Sequence, residues 1–131
     1  MKVNQRYNPF PVKSPYNGIY AHGVEIPIAS RQITVSGQVG VSSKGITPKD
    51  FRGQVKQALD NLKDVLESAG MELHDLVHMR FYLVDRQHIL ELNKIRTEYL
   101  QGIAPAVTTF IVNGLVQEDW LIEIEGLAAK S

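Results

Sequence analysis

No cysteine occurs among the 131 residues, and charge of one sign is lacking too: 14 Lys+Arg stand against 14 Asp+Glu. The missing thiols exclude a disulfide framework, a cysteine nucleophile and every thiolate metal site. The missing net charge, with Lys and Arg spread along the chain, argues against a nucleic-acid surface held by phosphate neutralisation, so no nucleic-acid partner is expected. No apolar run approaches the length that spans a bilayer, and the start Met1-Lys2-Val3-Asn4-Gln5-Arg6 is too polar for a signal peptide. A soluble cytoplasmic protein without a membrane partner is the expectation. There is no phosphate loop, dinucleotide fingerprint, nucleophile elbow or paired-histidine metal motif, and no cofactor is expected. His22, His74, His78 and His88 fall on different segments without ligand spacing, so no metal site is expected.

What is present reads as one globular domain over residues 1–131, 44% hydrophobic and long enough to bury a core without staples. Residues 1–17 carry Pro9, Pro11 and Pro15 and read as an extended arm ending in a turn at Asn17-Gly18. Ile19 to Val41 is strand-like, with Ile19-Tyr20-Ala21 and then Arg31 to Val39, and predicts two or three antiparallel strands. From Asp50 the period changes: Phe51, Val55, Ala58, Leu59, Leu62, Val65, Leu66 and Ala69 form one helical stripe, stopped by Gly70. Leu76 to Val84 alternates Val77, Met79, Phe81 and Leu83 with His78, Arg80 and Tyr82, a strand with one apolar face. Asp85 is a helix N-cap, followed by the stripe Ile89, Leu92, Ile95 and Tyr99 as far as Gly102. Ala106 to Val112 and Trp120 to Ala128 predict two strands joined as a hairpin. The fold class is therefore α+β, a mixed sheet with both helices on one face. A sheet bearing Met79, Phe81 and Trp120 would leave an apolar face in water, which predicts an oligomer packed through those faces.

Few residues stand out chemically. Glu123 and Glu125 share a face of the last strand; they are either a solvated edge or a pair of which one handles water in a cleft. His78, Arg80 and Tyr82 form a strand face that suits a ligand site and a subunit interface equally. The glycines of Gly37-Gln38-Val39-Gly40 read as a bulge or a close backbone approach rather than a phosphate cradle.

Several blocks together resemble a known family: Ser36-Gly37-Gln38, Gln57-Ala58-Leu59-Asp60-Asn61-Leu62 running to Ala69-Gly70, Phe81-Tyr82-Leu83-Val84-Asp85, Asn93, Pro105-Ala106, and Ile122-Glu123-Ile124-Glu125-Gly126-Leu127-Ala128. From about Tyr16 onward the chain resembles the Rid family of reactive-intermediate deaminases, also called the YjgF/YER057c/UK114 family. The resemblance implies a chorismate-mutase-like fold and a homotrimer with a barrel-like core. It also implies small-molecule clefts between subunits, where deaminase members hydrolyse enamines and imines such as 2-aminoacrylate. It assigns the water-handling glutamate to Glu123 and the serine of Ser-Gly-Gln to Ser36. The cleft tyrosine falls on Tyr20, although the Pro-Tyr pair matches Pro15-Tyr16. Where deaminases carry a carboxylate-clamping arginine after Pro-Ala, this chain has Val107, followed by Thr108 and Thr109. Valine offers neither donor nor charge, and one bidentate contact of about 3 kcal/mol corresponds to a loss on the order of 10²-fold. The resemblance thus implies a cleft lined by Tyr20, Ser36, Val107 and Thr108. Standard 2-aminoacrylate turnover in it is in doubt unless Arg80 or Arg96 replaces the clamp. A non-catalytic ligand-binding or regulatory trimer is the alternative. RNA cleavage, an older association of the family, is disfavoured by the balanced charge and the lack of an aromatic-basic stripe.

Overall fold

The computed structural model describes residues 4–131, and the first three residues of the arm lie outside it. Helix α1 spans Phe51–Ser68 because its start and stop signals agree with its period. The Asp50 carboxylate accepts from Gly53 N at 2.9 Å, Gly70 takes a φ of 74°, and Phe51, Val55, Ala58, Leu59, Leu62 and Leu66 are buried. Asp85 caps a single 3-10 turn, Arg86–His88, from which α2 continues over Ile89–Leu100. Gln101 and Gly102 close it in the left-handed region, at φ 46° and 87°.

Strands β3 (Arg31–Val39), β4 (Leu76–Leu83), β5 (Ala106–Ile111) and β6 (Ile122–Lys130) form one mixed sheet in the order β3-β6-β4-β5. Two expectations change here. The last two strands are not a hairpin: β5 runs parallel to β4, with Met79 opposite Val107, and α2 is its crossover. β6 enters between β3 and β4, antiparallel to both, so its isoleucines reach the helices at the centre of the sheet. The segment from Ile19 to Val41 yields two strands, a short one at Gly23–Val24 and the long β3, and each pairs with another part of the chain rather than with the other. Before β3, Arg6–Tyr7 (β1) pairs with Gly23–Val24 (β2), and Ala21 makes a lone parallel bridge to Ala106. The arm is thereby fastened, with Tyr7 Oη donating to Glu25 at 2.5 Å.

The argument from an exposed apolar face also changes. Met79 and Phe81 point into the helix-covered core with Val35, Leu83, Ile122, Ile124 and Ala128, and Trp120 precedes β6 rather than lying in it. The face turned away from the helices carries His78, Arg80, Tyr82, Glu123 and Glu125. It is polar, so Met79 and Phe81 supply no apolar drive for packing copies through it.

Gln54, fully buried on α1, holds the backbone of two loops to that helix. Its Nε2 donates to Pro48 O and Asp119 O at 2.9 Å each, and its Oε1 accepts from Leu121 N at 2.8 Å. Gly40 lets β3 reach the same turn, since a Cβ there would lie 2.6 Å from Gln54 Cα. Gln54→Leu keeps the volume and orphans three backbone groups. We expect a loss of about 2–4 kcal/mol in urea unfolding. A loss of under about 1 kcal/mol would mean that water replaces the amide.

Candidate functional site

The strands sort the sequence-predicted residues onto two faces. On the open face, the ladder between β3 and β6 shifts register between Val35 and Gln38, so Ser36 and Gly37 form a bulge there. The bulge brings Gly37 against Glu123: a Cβ on Gly37 would fall on the Glu123 carboxylate. Ser36 is exposed beside it. Among the described residues nothing hydrogen-bonds or ion-pairs with the Glu123 side chain. Glu125 differs. It accepts a short hydrogen bond from Tyr82 Oη and faces Arg80 Nη1 at 3.6 Å. The bond to Glu125 holds the Tyr82 phenol above its ordinary pKa. Of the two carboxylates that share this face, one is tied into the sheet's polar network and the other is free for a water or ligand.

Thr108 belongs to this same face, because it lies opposite Arg80 in the β4–β5 ladder. Its Oγ1 is 3.5 Å from His78 Nε2. Burial, then the neighbouring Arg80 charge, lowers the His78 pKa, against a smaller opposing pull from Glu125. His78 is accordingly an uncharged ring at neutral pH.

Val107, one residue away, faces the helices. It lines a cavity of about 220 Å³ at the sheet edge, together with Tyr16, Tyr20, Asn93, Arg96 and Thr109 over an apolar floor of Ile19 and Ile89. Both candidate tyrosines reach this cavity, so the choice between Tyr16 and Tyr20 is not exclusive. Val107's companion here is Thr109, not Thr108. Arg80 stands on the other face, whereas Arg96 is 3% exposed and lines the cavity. Its Nη2 donates to Ile19 O at 3.1 Å and its guanidinium carbon lies 4.8 Å from the centre of the Phe81 ring. Burial lowers its pKa to about 10, which leaves it cationic at neutral pH. A polar residue at the place of Arg96 in the stripe Leu92-Ile95-Arg96-Tyr99-Leu100 is a signal that spacing alone supplies. Thr109 has no such signal.

The candidate residues therefore fall into two separate groups. Glu123, Ser36 and Thr108 occupy the open face, and Tyr20 and Val107 occupy the edge cavity. Among the described residues no group of three His, Asp or Glu side chains is arranged to hold a metal ion. No helix is long and apolar enough to cross a membrane among those residues.

Two measurements test the open face. Gly37→Ala is expected to leave the thermal melt within a few degrees, because the position is exposed, yet to shift the Glu123 side-chain carboxyl resonance by displacing that group. An unmoved resonance would remove the close approach from the site. The imidazole of His78 is expected to titrate below the usual value of about 6.5, and Arg80→Ala to raise its midpoint. Because the folded value lies below the unfolded one, this group stabilises the fold above the unfolded pKa. That contribution is lost as pH falls through the folded value.

The chain is similar to known proteins over most of its length. The family model described as endoribonuclease L-PSP matches residues 13–130. A RutC family protein of Pyrococcus horikoshii is 32% identical over 115 residues, covering 86% of this chain and 88% of the relative. The 2-iminobutanoate/2-iminopropanoate deaminase of Mus musculus is 33% identical over 115 residues, 86% of this chain and 82% of that protein. The crystal structure of YyfB, of the conserved Rid protein family from Yersinia pestis, superposes with a TM-score of 0.87 at 28% identity, over 98% of this chain and all of the other. With the α+β sheet order, the bulge at Ser36-Gly37 and the closing Ile-Glu-Ile-Glu strand in place, these matches show that the chain belongs to the Rid/YjgF family.

Proposed function

We propose that the protein works as a homotrimer that binds a small metabolite in clefts between subunits and hydrolyses a C=N bond there. The observation that carries this reading is the split between Glu123 on the open face and Tyr20 with Val107 in the edge cavity. Neither half contains both a water-handling carboxylate and a lined cavity, and a second copy's open face laid against the cavity would supply the missing half. Relatives named 2-iminobutanoate/2-iminopropanoate deaminase support the reaction class.

In this mechanism the unengaged Glu123 carboxylate holds a water and accepts its proton as the oxygen adds to the imine carbon. The nitrogen takes up a proton from solvent to give the carbinolamine; Glu123 then returns its proton to the amine, the C–N bond breaks to release ammonia, and the hydroxyl gives its proton back to solvent, leaving the ketone. Tyr20 and Ser36 orient the ligand, and Thr108 borders the carboxylate's face. Val107 favours a second reading, a regulatory trimer that binds its ligand without turnover, since an apolar wall stands where deaminases clamp the substrate.

Ammonia release from 2-aminoacrylate generated in situ separates the two. The enzyme reading expects acceleration over the uncatalysed rate and a fall of about 10²-fold or more in Glu123→Gln, with affinity for a keto acid nearly unchanged. Binding of a keto acid by a wild-type protein that adds nothing to the uncatalysed rate would establish the regulatory reading instead. Light scattering should give three times the 14.7 kDa chain mass.

A further inference from the structure

Arg96 is the one buried residue of the edge cavity whose chemistry the fold does not account for. Its guanidinium has been taken out of water on the inner side of α2, where the flanking stripe positions Leu92, Ile95 and Leu100 are apolar and equally buried. A cation in such a place normally has a carboxylate partner. Arg96 has none among the described residues: its contacts are the Ile19 carbonyl and the Phe81 ring. Its Nε–H is buried and without any hydrogen-bond partner. The cavity it lines has an apolar floor, with the side chains of Tyr20, Asn93 and Thr109 as its polar wall. Arg80, the other arginine near β5, is already matched by Glu125 and stands on the opposite face of the sheet.

We infer that Arg96 is the anion-holding residue of this cavity, and that the metabolite carries a carboxylate whose charge is met from α2 rather than from β5. The inference rests on the small-metabolite reading above and deepens it by naming the charge of the ligand and the side chain that selects it. A guanidinium fixed by one carbonyl and one ring still has N–H groups to present, and an incoming carboxylate would supply the counter-charge that the folded chain withholds. Val107 then has a consistent role. It is the apolar side of a site whose cation comes from the facing wall.

The test compares 2-oxobutanoate with its neutral amide by titration calorimetry on the full chain in its native oligomer. Wild type is expected to bind the acid at least about 10-fold more tightly than the amide, the factor expected of one hydrogen bond to a charged group. Arg96→Met keeps a long apolar side chain over Phe81 and is expected to bring the two ligands within about 2-fold of each other. Arg96→Met combined with Val107→Arg is expected to restore the preference from the opposite wall. Equal binding of acid and amide by wild type would overturn the assignment of Arg96 while leaving a small-ligand cleft in place. A preference that survives in a folded Arg96→Met would overturn it as well, by locating the charge elsewhere. Binding of neither compound would bring down the underlying small-metabolite reading together with the inference. The wild-type comparison needs no variant, so a failure of Arg96→Met to fold does not protect the assignment.

Discussion

The two-residue alternation of β6, at the centre of the sheet, decides where everything else in this protein lies. Ile122, Ile124, Gly126 and Ala128 face the helices, while Glu123 and Glu125 face away. A central strand has no free edge, so its register is fixed on both sides, by β3 and by β4. Gly126 lets α1 settle onto that strand: a Cβ there would come within 3.2 Å of both Leu62 and Leu76. Full burial of leucines such as Leu59, Leu62 and Leu66 is worth about 1.5–3 kcal/mol apiece, and a slip of one residue in β6 would set the glutamates against them in place of Ile122 and Ile124. The carboxylates are on the open face because the leucines of α1 leave them no other.

The same alternation separates two pairs of like residues. Glu125 lies across from Arg80 in the ladder and within reach of Tyr82, and it is absorbed into a network that ties β4 to β6. Glu123, two residues earlier, meets the backbone of Gly37 at the bulge and keeps its lone pairs unused. The two arginines divide in the opposite sense. Arg80, on a strand, is half-exposed and paired; Arg96, on a helix, is buried and carries its charge without a partner. Of these four residues, Glu123 and Arg96 are the two left without a charged partner, and so the two available to a ligand.

Much of this is legible in the amino-acid sequence. The periods of three and four, with Asp50 and Gly70 at the ends, define α1, and Asp85 and Gly102 bracket α2 nearly as well. Alternation assigns His78, Arg80 and Tyr82 to one face of β4. What it does not contain is which face the helices cover, and so Met79 and Phe81 suggest a sticky exterior when they are the core. Nor does a local pattern contain the strand's partner. Residues 106–112 and 120–128 are adjacent in sequence and suggest a hairpin, but β4 lies between them and pairing is decided by burial across the whole sheet. Resemblance to a family picks out Glu123, Ser36, Tyr20, Val107 and Thr108 as one cleft. It is silent on their faces, and in one chain Val107 and Thr108 point to opposite sides of β5.

The edge cavity shows why a cation is easier to keep on α2 than on β5. The helix-facing positions of β5 must pack against α2, and Val107 does so at the margin of the core. An arginine there would have to leave that contact to reach a ligand. Arg96 starts from the helix instead, and its length is taken up by the stack on Phe81 and the bond to Ile19 O before the guanidinium reaches the cavity. Both contacts hold the planar group in place before any ligand arrives, so little side-chain freedom remains to be lost on binding. The segment that supplies Ile19 O also supplies Tyr16 and Tyr20, and it is fastened to β5 by the bridge from Ala21 to Ala106. The cation, the tyrosines and the valine wall are therefore positioned by one connected piece of backbone, and a shift in any of them moves the others.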